Sequence, residues 1–297
     1  MNAASEILAL FKTGHPTVSV EFYPPKTDEG ARQMLLTAEA LKPYGIDFAS
    51  ITYGAGGSTR QRTIEYGAQL TRLGYRVMPH LTCVGHSRED LMAIIESFRA
   101  AGFGAIMTLR GDPPKGETTF TPHPDGLAHA SELVAFIREH FKDSFALGVA
   151  GYPEKHPESP DAESDLVWLA HKVRQGANFV TTQLFFDNAH YFQFVARCRA
   201  AGINTPIVPG IMPPLSLAQA KKFCAFCEAY LPEELEARLA VCEGDEATSQ
   251  AIGVEWAFEQ VRGLLKAGAP GFHLYILNRS EPALALLERL RKEELIR

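Results

Sequence analysis

Val18-Ser19-Val20-Glu21-Phe22-Tyr23-Pro24-Pro25 alternates apolar with small or polar residues over the length of a strand, and two prolines that cannot continue a ladder stop it. Glu21 sits near its end. A carboxylate beside Val20, Phe22 and Tyr23 is costly to bury as a charge. It either turns outward to water, as most strand-end acids do, or is held partly protonated in a pocket. The first reading is structural and the second catalytic; the rest of the chain bears on the choice.

Downstream, the same unit recurs: a short, largely apolar strand followed by an amphipathic helix. Strands are expected at 47–53, 76–83, 104–110, 145–150, 178–185, 206–211 and 271–277. Helices are expected at 28–41, capped by Asp28, and at 59–73, 88–101 (capped by Ser87), 129–140, 162–175 and 188–201. A further helix follows Ser216, one longer helical insertion covers 232–267, and a terminal helix begins at Glu281. Strands this apolar are buried on both faces, so eight such units predict one α/β domain over 1–297, a (β/α)8 (TIM) barrel with an extra helical segment before its last strand. A doubly wound open sheet also alternates, but no G-x-G-x-x-G follows the first strand.

A chain of 297 residues can bury a large core, and 46% hydrophobic with 22% charged residues is ordinary for a soluble globular protein. A net charge of -6 with no basic patch argues against a nucleic-acid partner. No apolar run reaches membrane-spanning length, and the N-terminus has no basic region or cleavage site, so a cytoplasmic protein with no membrane partner is expected. Five cysteines in apolar contexts suit buried thiols; Cys224 and Cys227 form a lone C-x-x-C on a helical pattern, with no second pair to complete a metal site.

In a barrel, the strands' carboxyl ends and the loops after them carry the chemistry. Glu21, Thr52, Tyr53, His80, Thr82, Arg110, Gly111, Asp112, Tyr152, His156, Gln183 and Arg279 all fall there. Each has a dull explanation alone, such as a core histidine for His80 or a capping amide for Gln183. Their joint arrival at one mouth is harder to dismiss. Two proline-rich polar connections, 111–126 and 152–163, also lie at that end. No H-E-x-x-H, G-x-S-x-G or P-loop occurs, so metal, hydrolytic and phosphoryl-transfer chemistry lack their usual signatures. Aromatic and amide-rich walls suit planar, hydrogen-bonding heterocycles.

The segments S-V-E-F-Y-P-P, S-I-T-Y-G-A, P-H-L-T-C, L-R-G-D-P-P, A-G-Y-P-E-K-H-P-E, T-Q-L-F-F-D, P-I-V-P-G-I-M-P, Q-A-K-K-F and F-H-L-Y-I-L-N-R occur in order across almost the whole chain. Together they resemble the bacterial, single-domain methylenetetrahydrofolate reductases. The resemblance implies a barrel that holds FAD noncovalently and reduces 5,10-methylenetetrahydrofolate to 5-methyltetrahydrofolate with NADH or NADPH, by ping-pong hydride transfer in one-carbon and methionine metabolism. It implies Glu21 as the general acid, with a raised pKa among its apolar neighbours, and Asp112 as the acid between flavin and pterin. Gln183, Gln219, Phe223 and Arg279 are implied as substrate contacts. The flavin contacts implied are Thr52, Tyr53, Ala55, His80, Arg110, Gly111, Asp112, His129, Ala130, Tyr152, His156, Asp165, Trp168, His171 and Lys172. Among these, Arg110, His156 and Lys172 suit a pyrophosphate. His129, Trp168 and His171 depart from the residues common in relatives at the adenosine end. The resemblance also implies a homo-oligomer, and no C-terminal regulatory domain is expected. Another flavin barrel, a pterin-binding methyltransferase barrel and a non-catalytic folate or flavin carrier remain as alternatives.

Overall fold

In the computed structural model, residues 3–54, 60–113, 120–242 and 244–297 are described. Helix α1 (Ala3–Leu10) precedes β1 (Thr17–Phe22), which is followed by α2 (Asp28–Leu41), β2 (Phe48–Ile51), α3 (Arg60–Arg72), β3 (Val77–Thr82), α4 (Arg88–Ala100) and β4 (Ala105–Leu109). Next come α5 (Ala130–Phe141), β5 (Ala146–Gly151), α6 (Ala162–Arg174), β6 (Phe179–Leu184), α7 (Asn188–Ala200), β7 (Ile207–Ile211) and α8 (Leu217–Cys227). Helices α9 (Glu233–Ala240) and α10 (Glu246–Lys266) lead to β8 (Gly271–Tyr275) and α11 (Glu281–Lys292). The strands form a closed barrel in sequential order, every pair parallel, with β8 paired back to β1. The expected (β/α)8 barrel is therefore the fold.

Strand β1 shows how the barrel sorts its side chains. Successive residues of a strand point to opposite faces. Val18, Val20 and Phe22 join the main apolar core between barrel and helices, beside Met34, Ala38 and Leu41 of α2. Ser19 and Glu21 take the inner face. At the β1–β8 seam, Gly271 has φ 149, and a Cβ there would lie 2.0 Å from the Thr17 carbonyl oxygen, so only glycine lets the barrel close. The floor is plugged by α1, whose Ala4 and Ile7 pack on Phe48, Met78, Met107 and Phe179.

Two local expectations are corrected. Thr27, not Asp28, caps α2: its hydroxyl accepts from Gly30 N at 3.1 Å, leaving Asp28 as an acidic first-turn residue. The insertion before β8 is two helices, because Asp245 starts a new one, accepting from Thr248 N at 3.0 Å. Ser87 caps α4 as read, in a capping box with Asp90.

Candidate active site

All eight strands, or residues directly after them, line one cavity of about 520 Å3 at the carboxyl end, a volume typical of small-molecule sites. Its wall gathers Glu21, Thr52, Tyr53, His80, Arg110, Gly111 and Asp112 from the first four units. The later units add Ala130, Tyr152, His156, Lys172, Gln183 and Phe223. At Gly111 the chain turns off β4 with φ 93, and a Cβ would lie 2.6 Å from Val84 Cγ1, so this turn into the site needs glycine.

Glu21 is the inward acid of β1, with 22% of its side chain exposed. Its Oε2 lies 3.3 Å from His80 Nε2 and 3.8 Å from His273 Nε2. Behind it, His273 Nδ1 is 2.8 Å from Ser19 Oγ, and His273 Nε2 is 3.4 Å from Ser50 Oγ. Burial is the largest single influence on the carboxyl and pushes it up, but hydrogen bonds from His273 and Ser50 and the charges of His80 and His273 together bring it below its ordinary value. This corrects the expected raised pKa. Val20 and Phe22, neighbours in sequence, point out of the barrel, so the carboxyl sees imidazoles and hydroxyls instead. His80 itself is pulled down by burial, against the pull of Glu21. A ring below its usual value is neutral near pH 7, so its charge supports Glu21 only in acid, and at neutral pH the His273 and Ser50 hydrogen bonds carry more of that work.

On the β4–β5–α6 side the cavity is lined by cations. Burial pulls the Lys172 ammonium down to about 8, and it donates to the Ala150 carbonyl at 2.6 Å. Burial likewise lowers His156, against Asp165 and Glu158. Arg110 makes a bidentate pair with Glu158, its Nη2 donating to Oε1 at 2.7 Å, and its guanidinium lies over the Phe120 ring at 4.9 Å. His80 Nε2 and Thr82 Oγ1, both on the cavity wall, are buried without a hydrogen-bond partner; the His80–Glu21 contact lacks hydrogen-bond geometry.

Other predicted residues lie off this wall. Asp165 stands behind it and accepts from His156 N at 3.3 Å. The His129 ring, at the start of α5, stacks on exposed Trp168 at 6.2 Å, and Trp168 meets His171 edge-on at 6.0 Å within α6. Gln219 turns back on its own loop, its Oε1 accepting from Leu215 N at 2.7 Å, and Arg279 borders a separate small cleft beside Pro213 and Leu277. Ala55 falls outside the described residues. Cys224 and Cys227 are buried, as read, with thiols pushed up by burial to about 11.

Several wall residues escaped the sequence reading. His273 is the chief one: it sits mid-strand in F-H-L-Y, and its signal was the two-residue spacing to Tyr275, whose hydroxyl donates to the Thr182 carbonyl at 2.7 Å. Phe226 carried no signal of its own, and neither did Ser19 and Ser50, which stand behind the wall against His273.

The family model for methylenetetrahydrofolate reductase matches residues 6–291. The Escherichia coli 5,10-methylenetetrahydrofolate reductase is 36% identical over 279 residues, covering 93% of this chain and 91% of that protein. The Arabidopsis thaliana methylenetetrahydrofolate reductase (NADH) 1 is 36% identical over 300 residues, covering 98% of this chain and 51% of that protein. The chain thus spans about half the length of the plant relatives it matches. Among solved structures, an uncharacterized Clostridium thermocellum protein that binds two copies of 5-methyl-5,6,7,8-tetrahydrofolic acid superposes with a TM-score of 0.66 at 18% identity, covering 97% of each chain, which supports the fold.

Proposed function

The chain belongs to the methylenetetrahydrofolate reductase family, and from that premise we propose that it reduces 5,10-methylenetetrahydrofolate to 5-methyltetrahydrofolate with electrons from NADH or NADPH, using FAD held in the barrel mouth. The observation that carries this reading is one cavity with a partly buried acid on its β1–β3–β8 side and two cationic side chains, Arg110 and Lys172, beside the His156 imidazole on its β4–β5–α6 side. The residues fit the cofactor. Unpartnered His80 Nε2 and Thr82 Oγ1 suit the polar edge of a flavin ring, and Lys172, His156 and Arg110 suit its phosphates. Bound there, a flavin supplies a hydride relay between nicotinamide donor and folate acceptor, which use the cavity in turn.

The chain's own residues supply the proton and the positioning. Glu21 gives a proton to N10 of the folate, the imidazolidine ring opens to an N5 iminium cation, and hydride addition at the exocyclic carbon leaves a methyl group on N5. Glu21 rests as carboxylate and takes up a proton from water before it acts; substrate that covers its exposed 22% strengthens the burial that pushes its pKa up and so favours that uptake. Asp112, at the lip, orients the pterin amino group and favours the cation, while Gln183 hydrogen-bonds either ring. Phe223 offers a face for stacking; for Gln219 and Arg279 to contact the folate, their side chains turn from the Leu215 amide and from the cleft beside Pro213 toward the cavity. His129, Trp168 and His171 would hold the adenosine end of FAD, and Asp165 would position His156 through its backbone N–H. The barrel acts as one catalytic domain, and copies of it self-associate.

Glu21→Gln tests the acid. It is expected to keep FAD and its reduction by NAD(P)H while folate reduction falls by about 10²-fold or more. Folate turnover within a few-fold of wild type would remove Glu21 from that role.

A further inference from the structure

We propose that Asn278, a residue given no role above, is a positioning residue for Glu21: it closes the mouth of the β1–β8 seam and fixes the strand that carries the acid. The proposal rests on the function just stated. The backbone ladder between these two strands ends at the pair Glu21 and Tyr275. Beyond that rung, Tyr23 leads from β1 into Pro24 and Pro25. The Asn278 amide takes over where the ladder stops. Its Oδ1 accepts from Tyr23 N at 3.1 Å, and its Nδ2 donates to the Tyr23 carbonyl at 2.9 Å. One side chain thus supplies both partners that a further strand residue would offer.

The amide is itself held in place. Asn278 is buried, and its own carbonyl accepts from Oγ1 of buried Thr37, on α2, at 3.2 Å. Leu277 and Asn278 both have positive φ, 50 and 55. Asparagine tolerates this left-handed conformation, whereas leucine rarely adopts it. Such a turn persists only where its surroundings over-determine it, and here the bonds to Tyr23 and Thr37 do so. The turn leaves Leu277 on the cavity wall and brings the Asn278 side chain back onto the end of β1.

On its other edge β1 is tied to the residue after β2, where Thr52 N donates to the Phe22 carbonyl at 3.0 Å. Glu21 therefore sits one residue inside a strand end gripped from both sides. Its carboxylate must keep its place beside His80 and His273 and still reach the folate. Without Asn278, the β8 side of that end would be free, because prolines have no N–H with which to continue the ladder. A misplacement of about 1 Å at a reacting group can cost roughly 10²-fold in rate.

The test uses two FAD-loaded variants. Asn278→Gly keeps the left-handed backbone at no steric cost but removes both bonds to Tyr23; Thr37→Val leaves those bonds and removes only the one to the Asn278 carbonyl. Hydrogen exchange at the Tyr23 amide reads the clamp with no substrate present, and is expected to quicken severalfold in Asn278→Gly. In stopped-flow, the rate constant for reoxidation of reduced flavin by methylenetetrahydrofolate should fall by roughly 5- to 50-fold in Asn278→Gly and by about 2- to 5-fold in Thr37→Val. Folate affinity and the rate of flavin reduction by NADH should stay within about twofold of wild type, whereas a general loosening of the barrel would slow both half-reactions and release FAD. Unchanged exchange at Tyr23, an unchanged reoxidation rate, a loss confined to folate affinity, or an equal loss in the NADH step overturns the proposal. Wild type that never reduces methylenetetrahydrofolate counts against the proposed reaction, and the exchange comparison then still decides whether Asn278 holds the strand.

Discussion

Lys172 shows what a single side chain can report about the site. Half-buried on the cavity wall with a backbone carbonyl as hydrogen-bond acceptor, its ammonium is pulled down by desolvation to about 8. A nearby phosphate favours the charged form. The sign follows: binding of a phosphate-bearing cofactor takes up a proton above about pH 8, and affinity is full below that value and is lost as pH rises past the bound-state pKa. Titration calorimetry of the apoprotein with FAD at about pH 8.5, in buffers of different ionisation enthalpy, should show this uptake in wild type and not in Lys172→Met; equal uptake in both would take the lysine out of the phosphate site. The same group makes the fold gain stability between about pH 8 and the ordinary lysine value, because there the unfolded chain holds the extra proton. Glu21 was legible as a polar residue at a strand end, whereas Lys172, inside α6, came only from the family resemblance. Their protonation was not legible, since it depends on burial and, for Glu21, on His273, His80 and Ser50, which are distant in sequence or silent in type.

Among elements, the strands could be read to within a residue or two because apolar runs between turn residues have few other interpretations. Boundaries that depend on one hydrogen bond were harder: Thr27 and Asp28 both cap helices well, and only the Gly30 contact separates them. The split between α9 and α10 was signalled by Asp245 and passed over because both sides are helical. The amino end of the barrel is pinned by Arg138 of α5, which donates to the carbonyls of Gly176, Phe145 and Lys142 and to Asn178 Oδ1 at 2.6 Å, while Asn178 Oδ1 also accepts from Leu147 N. Arg138→Met removes the donor from the Gly176, Phe145 and Lys142 carbonyls and leaves Asn178 Oδ1 only Leu147 N, and should cost about 2–4 kcal/mol in chemical denaturation. Because Arg138 lies at the end opposite the cavity, the kinetic constants should hold; a large rise in KM without loss of stability would contradict this placement.

For the molecule as a whole, a closed parallel barrel gathers eight strand ends into one mouth, so residues as far apart in sequence as Glu21 and His273 share a proton environment. That convergence is why much of the polar wall could be named from strand ends alone; Arg279, named the same way, borders a separate cleft instead, and Gln219, on a helix, came only from the family resemblance. Among the described residues no helix is long and apolar enough to cross a membrane. The most direct measurement is anaerobic absorbance spectroscopy of the purified protein. A bound flavin spectrum that bleaches with NADH or NADPH and returns on adding 5,10-methylenetetrahydrofolate, with 5-methyltetrahydrofolate formed in equal amount, is the predicted result. A protein that binds no flavin, or whose reduced flavin is not reoxidised by the folate, would contradict the proposed reaction.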